Sequence, residues 1–152
     1  EDLGAGMSTS IFAEYISRYG GKLIVVDLFE EHLRRAMSYL EKWPGIDVQF
    51  IASDSVKFLR EYKGPCDLAY LDSLDYPIAE NEGNVRMQQQ AQDHCLNELL
   101  AIEENLSDNS VMLIDDNQLS GGGKPAKAKQ YLVDNGWVCL LDLQSTLWVK
   151  SI

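Results

Sequence analysis

KLIVVD, residues 22–27, is an unbroken run of aliphatic side chains closed by a carboxylate. Such a run is expected of a strand in a parallel sheet covered on both faces, where the usual in-and-out alternation disappears. Upstream of it, Ile11, Phe12, Tyr15, Ile16 and Tyr19 recur at helical spacing until Gly20 and Gly21 stop them. Downstream, Leu33, Ala36, Met37 and Leu40 make one face of a second helix, broken at Trp43-Pro44-Gly45.

The alternation continues along the chain. DVQFI (47–51) reads as a short strand, Val56, Leu59 and Tyr62 as the face of a third helix, and CDLAYLD (66–72) as a strand again ending on an acid. A polar stretch, 73–86, leads into a helix expected from about Met87 to Asn105, with Leu96, Leu99 and Leu100 at its centre. SDNS (107–110) reads as a turn and VMLIDDN (111–117) as a strand ending in carboxylates. QLSGGGKP (118–125) brings Pro125 to the first turn of a helix that stops at Asn135-Gly136. WVCLLDLQ (137–144) and TLWVKSI (146–152) are joined so tightly that they should pair as an antiparallel hairpin. Strands alternating with helices predict an α/β fold: a mainly parallel sheet with helices on both faces. No repeat or linker interrupts it, so residues 1–152 read as one domain.

Of the 152 residues 45% are hydrophobic and 24% charged, a globular balance. No apolar run approaches the roughly 20 residues that span a bilayer, which speaks against a membrane partner. The net charge of −11 speaks against nucleic acid, whose binding rests heavily on Lys and Arg neutralising phosphates. The one basic cluster, Lys124, Lys127 and Lys129, reads as a solvated helix face. Cys66, Cys95 and Cys139 have neither zinc-site spacing nor an even count; set among apolar neighbours, they read as buried thiols of a cytoplasmic protein.

Ligands of open α/β sheets bind beyond the carboxyl ends of the strands. Acids or small residues mark five such places here: the opening turn EDLGAGMSTS (1–10), Asp27, Ala52–Ser55, Asp72, and Asp115-Asp116-Asn117. In the turn, Gly4 and Gly6 take away Cβ atoms that would hold a ligand off the backbone, and a helix beginning near Ser8 offers unpaired N–H groups. Asp27 follows Gly4 at about the spacing, roughly 20 residues, at which an acid takes a ribose diol.

These residues resemble the class I S-adenosylmethionine-dependent methyltransferases, a Rossmann-like family, over essentially the whole chain and including the terminal hairpin. The resemblance implies that Asp2, Gly4, Ala5, Gly6 and Ser8 cradle the methionine end of S-adenosylmethionine, that Asp27 holds the ribose and that Leu28 lies against the adenine. It implies that Asp54, flanked by Ser53 and Ser55, recognises the adenine amine, and that Asp72 faces the reaction centre as the catalytic acid residue. Ser8-Thr9 stand where a third glycine would favour a dinucleotide.

Within the class, Asp72, Asp116 and Asn117 look like the metal triad of catechol O-methyltransferase-like enzymes. Oxygen ligands of that kind suit Mg²⁺ or Ca²⁺. Such a cation would lower the pKa of a substrate hydroxyl and fix it for attack on the methyl. The other reading of the Asp-Asp-Asn run is a turn cap. The resemblance thus points to methyl transfer onto an oxygen of a small-molecule substrate, by an enzyme that can be a homodimer. An NAD(P)-dependent oxidoreductase and a non-catalytic S-adenosylmethionine-binding partner subunit are the alternatives.

No general base stands out. His94, inside the long helix, reads as structural, His32 as solvent-exposed, and Lys124 as part of a flexible glycine loop; Trp43, Trp137 and Trp148 read as packing. The family's first strand would precede Gly4, where only Glu1, Asp2 and Leu3 stand, so the polypeptide is expected to extend upstream.

Overall fold

The structure, a computed structural model, describes residues 6–78 and 82–150. Asp2, Gly4 and Ala5 therefore lie outside the described residues. The chain divides into two compact units, Glu1–Phe58 and Leu59–Ile152.

In the first unit, α1 (Met7–Tyr19), β1 (Lys22–Asp27), α2 (Glu30–Tyr39) and β2 (Asp47–Ala52) follow one another, and α3 (Ser55–Glu61) leads across the division. β1 and β2 are parallel, in register from Lys22 against Asp47 to Asp27 against Ala52. KLIVVD is thus the expected parallel strand, although its side chains from Leu23 onward are only half-buried. In α1 the buried residues are Thr9 and Ala13, whereas Ile11, Tyr15 and Tyr19 are exposed. The periodicity located the helix and part of its inner face, since Phe12 and Ile16 are half-buried on the side of Thr9 and Ala13. A Cβ on Gly6 would stand 3.0 Å from Cβ of Ala36, so the start of α1 lies hard against α2. Gly6 also has a φ of 82°, which a side chain would oppose.

The second unit holds β3 (Cys66–Leu71), α4 (Glu82–Ile102), β4 (Leu106–Ile114), α5 (Ala126–Asp134), β5 (Trp137–Asp142) and β6 (Thr146–Lys150). Its sheet runs β3-β4-β6-β5, with β3 and β4 parallel and β6 antiparallel to both β4 and β5. Parallel pairs with an antiparallel C-terminal hairpin are the architecture that the alternating pattern predicts. Leu99 and Ile102 of α4, Met112 and Ile114 of β4, Leu132 of α5 and Trp148 of β6 are at most 2% exposed and form its centre.

Two boundaries differ from the sequence reading. α4 begins at Glu82, ahead of the apolar face that marked Met87. SDNS belongs to β4 as an irregularity: Cys66 pairs with Leu106 and Leu68 with Val111, so extra residues bulge from the strand. The turn chemistry of serine still operates there, since Ser110 receives the Ser107 N–H at 2.8 Å and donates to the Cys66 carbonyl at 2.6 Å. Cys139 is exposed, not buried, because β5 is the sheet edge and only its Trp137 is covered. Among the described residues, no helix is long and apolar enough to cross a membrane.

Candidate functional site

At the carboxyl end of β1, Asp27 makes a tight polar turn. Its Oδ1 accepts the Phe29 N–H at 2.8 Å, its Oδ2 lies 3.1 Å from Nδ1 of His32, and its carbonyl accepts the Ser53 N–H. His32, read from sequence as solvent-exposed, is one-third exposed and engages Asp27. Beyond the turn, Leu28 and Phe29 are bare, at 64% and 58% exposure. An oriented carboxylate beside two uncovered apolar side chains is chemically matched to a nucleoside, whose ribose offers hydroxyl donors and whose base offers a flat face.

Asp54 closes β2 and caps α3: its Oδ1 accepts the Lys57 N–H at 2.8 Å. Ser53 donates to the Asp54 carbonyl at 3.1 Å, and Ser55 opens the helix. Ser8 sits in the first turn of α1, which among the described residues carries neither a side-chain cap nor an acidic residue. The missing Cβ of Gly6 faces α2, so that glycine lets the start of α1 pack closely on that helix.

The second unit brings together a different set. Tyr70 and Asp72, two apart, project to one side of β3. The Tyr70 hydroxyl lies 3.1 Å from Oδ2 of Asp72 and 2.9 Å from Oδ2 of Asp115, and so bridges the ends of two neighbouring strands. Burial first, then the two carboxylates, hold that hydroxyl well above the usual phenol range, so it remains a donor.

The cation at these strand ends is Lys124. Its Nζ lies 2.9 Å from Oδ1 of Asp72 and 3.2 Å from Oδ2 of Asp116, with its side chain 2% exposed. Burial works against the ammonium, but the Asp72 and Asp116 carboxylates outweigh it and raise its pKa. Burial likewise pushes the Asp72 carboxyl up, against the pull of Lys124. Lys124 is thus a fixed charge rather than a base, and the loop that carries it is held, not loose. Gln92 donates to the Gly121 and Gly123 carbonyls, each at 3.1 Å, Gln88 donates to the Ser120 hydroxyl, and the Tyr76 hydroxyl donates to the Ser120 carbonyl at 2.6 Å. The Lys124 N–H returns to the Asp116 carbonyl at 2.9 Å. Asp116 has a φ of 53°, the left-handed region in which no other described non-glycine residue stands.

Asn117 is not a partner of Asp72 and Asp116. Its amide nitrogen donates to Asp142 Oδ1 at 2.6 Å and to the Leu143 carbonyl, and its Oδ1 accepts from Lys129 at 3.1 Å. It ties the β5–β6 turn to the end of β4. Among the described residues, no group of three or more His, Cys, Asp or Glu side chains converges as a metal site. The donor set at Asp72, Asp116 and Asn117 therefore does not fit a divalent ion: one ligand is turned away and a lysine neutralises the other two. Of the basic cluster only Lys124 departs from a solvated face, being buried, whereas Lys127 and Lys129 stay part-exposed and pair with the exposed Asp93 and Asp142.

Asp115 receives the Ser145 hydroxyl at 2.7 Å as well as Tyr70. Burial opposes its ionisation, yet the bonds from Ser145, Tyr70 and the Asp116 backbone hold its carboxyl below the usual range. A depressed folded pKa stabilises above the unfolded value, about 3.9, and that stabilisation is lost as pH falls through the folded value. Ser145→Ala should therefore cost about 1 kcal/mol at neutral pH. Thermal melts across the acid range should show that difference shrinking below about pH 4.

A family model described as a methyltransferase domain matches residues 2–117. No curated protein matches the sequence. Among solved structures, an rRNA methylase of Streptococcus thermophilus is 13% identical with a TM-score of 0.64, covering 99% of this chain and 83% of its own. A candidate methyltransferase of Streptococcus mutans, solved with SAH, is 17% identical with a TM-score of 0.63, covering 97% and 86%. A candidate rRNA methylase of Clostridium thermocellum is 14% identical with a TM-score of 0.65, covering 97% and 84%. Identities this low establish a shared fold and no acceptor. They do overturn the exclusion of nucleic acid drawn from net charge: the fold occurs in a protein described as an rRNA methylase, and a whole-chain charge does not report a local surface. These matches also give no special place to the catechol-type enzymes. The chain belongs to the methyltransferase domain family.

Proposed function

We propose that this chain transfers a methyl group from S-adenosylmethionine to an oxygen of its acceptor, without a divalent metal. The observation that carries the cofactor reading is the carboxyl end of β1, where Asp27 is held by the Phe29 N–H beside uncovered Leu28 and Phe29. In this reading Asp27 binds the ribose hydroxyls, Leu28 and Phe29 cover the adenine, and Asp54, with Ser53 and Ser55, takes the adenine amine. Ser8, in the first turn of α1, binds the methionine end, a role shared with Asp2, Gly4 and Ala5, which lie outside the described residues. When bound, S-adenosylmethionine supplies a methyl group made electrophilic by its sulfonium sulfur.

An oxygen acceptor carries a proton that must leave as the methyl arrives. Asp72 takes it: the proton passes to the carboxylate, its electron pair stays on the oxygen, and the 41%-exposed side chain then releases the proton to water. Burial raises the basicity of Asp72 and so suits it to this task. Lys124 and Tyr70 hold the carboxylate in place from Oδ1 and Oδ2.

The test is transfer of labelled methyl from S-adenosylmethionine to a panel of hydroxylated aromatics and RNA transcripts, by wild type and Asp72→Asn. Loss of the base should lower turnover about 100-fold or more. The affinity for S-adenosylhomocysteine should stay within about threefold. Undiminished turnover in the variant would remove Asp72 from the chemistry.

A further inference from the structure

We propose that the ammonium of Lys124 occupies the cation position between Asp72 and Asp116, and that this protein charge excludes divalent ions from the two carboxylates. This exclusion is a property of the carboxylate pair and does not depend on the acceptor.

Three observations support it. The ammonium is within 2.9 Å and 3.2 Å of one oxygen of each carboxylate, and the lysine side chain is 2% exposed while Asp72 and Asp116 are 41% and 28% exposed. The charge is thus delivered from inside the protein, and the acids face outward from it. The backbone around the lysine also leaves it little room to retreat. Its N–H is bonded to the Asp116 carbonyl, Gln92 grips the carbonyls of Gly121 and Gly123, and Pro125, next in the chain, caps α5, its carbonyl accepting the Lys129 N–H at 2.7 Å. Finally, the neutral oxygen that could complete a divalent site, Oδ1 of Asn117, already faces the ammonium of Lys129. A hard divalent ion takes six or more oxygen ligands. Here it would have to displace one lysine and compete with a second.

The first consequence is measurable without any turnover. Free Mn²⁺, followed by electron paramagnetic resonance, should remain unbound by the wild type at these residues up to millimolar concentration. Lys124→Met keeps the aliphatic stem and removes the charge; with its fold checked by circular dichroism, it should bind Mn²⁺ at least about tenfold more tightly than wild type. Adding Asp116→Asn should abolish that gain. A wild type that binds one Mn²⁺ and loses it on Asp72→Asn would overturn the proposal, as would a folded Lys124→Met that binds no better than wild type. If Lys124→Met does not fold, acetylation of the wild type read by mass spectrometry decides. Lys124 should stay unmodified with and without millimolar Mg²⁺, and exposure of it by Mg²⁺ would show that the ion displaces the lysine.

Discussion

Gly123→Ala is expected to destabilise the protein by about 3 kcal/mol, the largest effect of any single methyl group on the loop after β4. The reason is geometric. A Cβ at Gly123 would lie 2.2 Å from the backbone oxygens of both Asp116 and Asn117, and its φ of 68° is left-handed. Neither obstacle is the tip of a flexible side chain that can swing aside, so the backbone must move. Movement there breaks the Gln92 bonds and the return of the Lys124 N–H to Asp116. Urea unfolding should therefore give a lower midpoint with an unchanged slope. A midpoint equal to that of wild type would mean that the loop is not held as described.

Lys124→Met should cost about 2 to 3 kcal/mol at neutral pH. Removing one member of a buried ion pair leaves the other uncompensated, typically at 3–5 kcal/mol. Here water reaches Asp72 and Asp116 and relieves part of that cost. The folded pKa of Lys124 is raised, so its contribution is complete below the ordinary lysine value, about 10.4, and is lost as pH rises through the folded value. Melting temperatures of wild type and variant should accordingly run parallel from neutral pH to about pH 10 and converge above it. Curves that coincide at neutral pH would show that the pair does not stabilise the fold.

The parts of the molecule that were legible in sequence are those set by near neighbours. KLIVVD, an aliphatic run closed by Asp27, marks a parallel strand, and two apolar runs separated by a short turn mark the β5–β6 hairpin. The misread parts depend on partners distant in sequence. Lys124 looked loose because it follows three glycines, and nothing near it shows that Gln88 and Gln92 of α4 grip that loop. Asn117 looked like a ligand because it ends a strand beside two acids. Its real partners, Asp142 and Leu143, lie across the hairpin turn. Gly123 offered a usable signal: a glycine where the chain must pass close to another backbone implies that the next side chain is placed, not free. His32 offered another, since a histidine in the first turn of a helix that follows a short turn can reach back to the acid ending the strand.

Cofactor binding turns on Asp27, and its most direct measurement is calorimetric titration of the protein with S-adenosylhomocysteine, repeated for Asp27→Asn. Asparagine keeps an oxygen for the Phe29 N–H and so spares the turn, but it loses the charge that would hold the ribose hydroxyls. Saturable binding that weakens about tenfold or more in the variant is the predicted result. Binding to the wild type that is unchanged in Asp27→Asn, or no binding to a folded wild type, would contradict it.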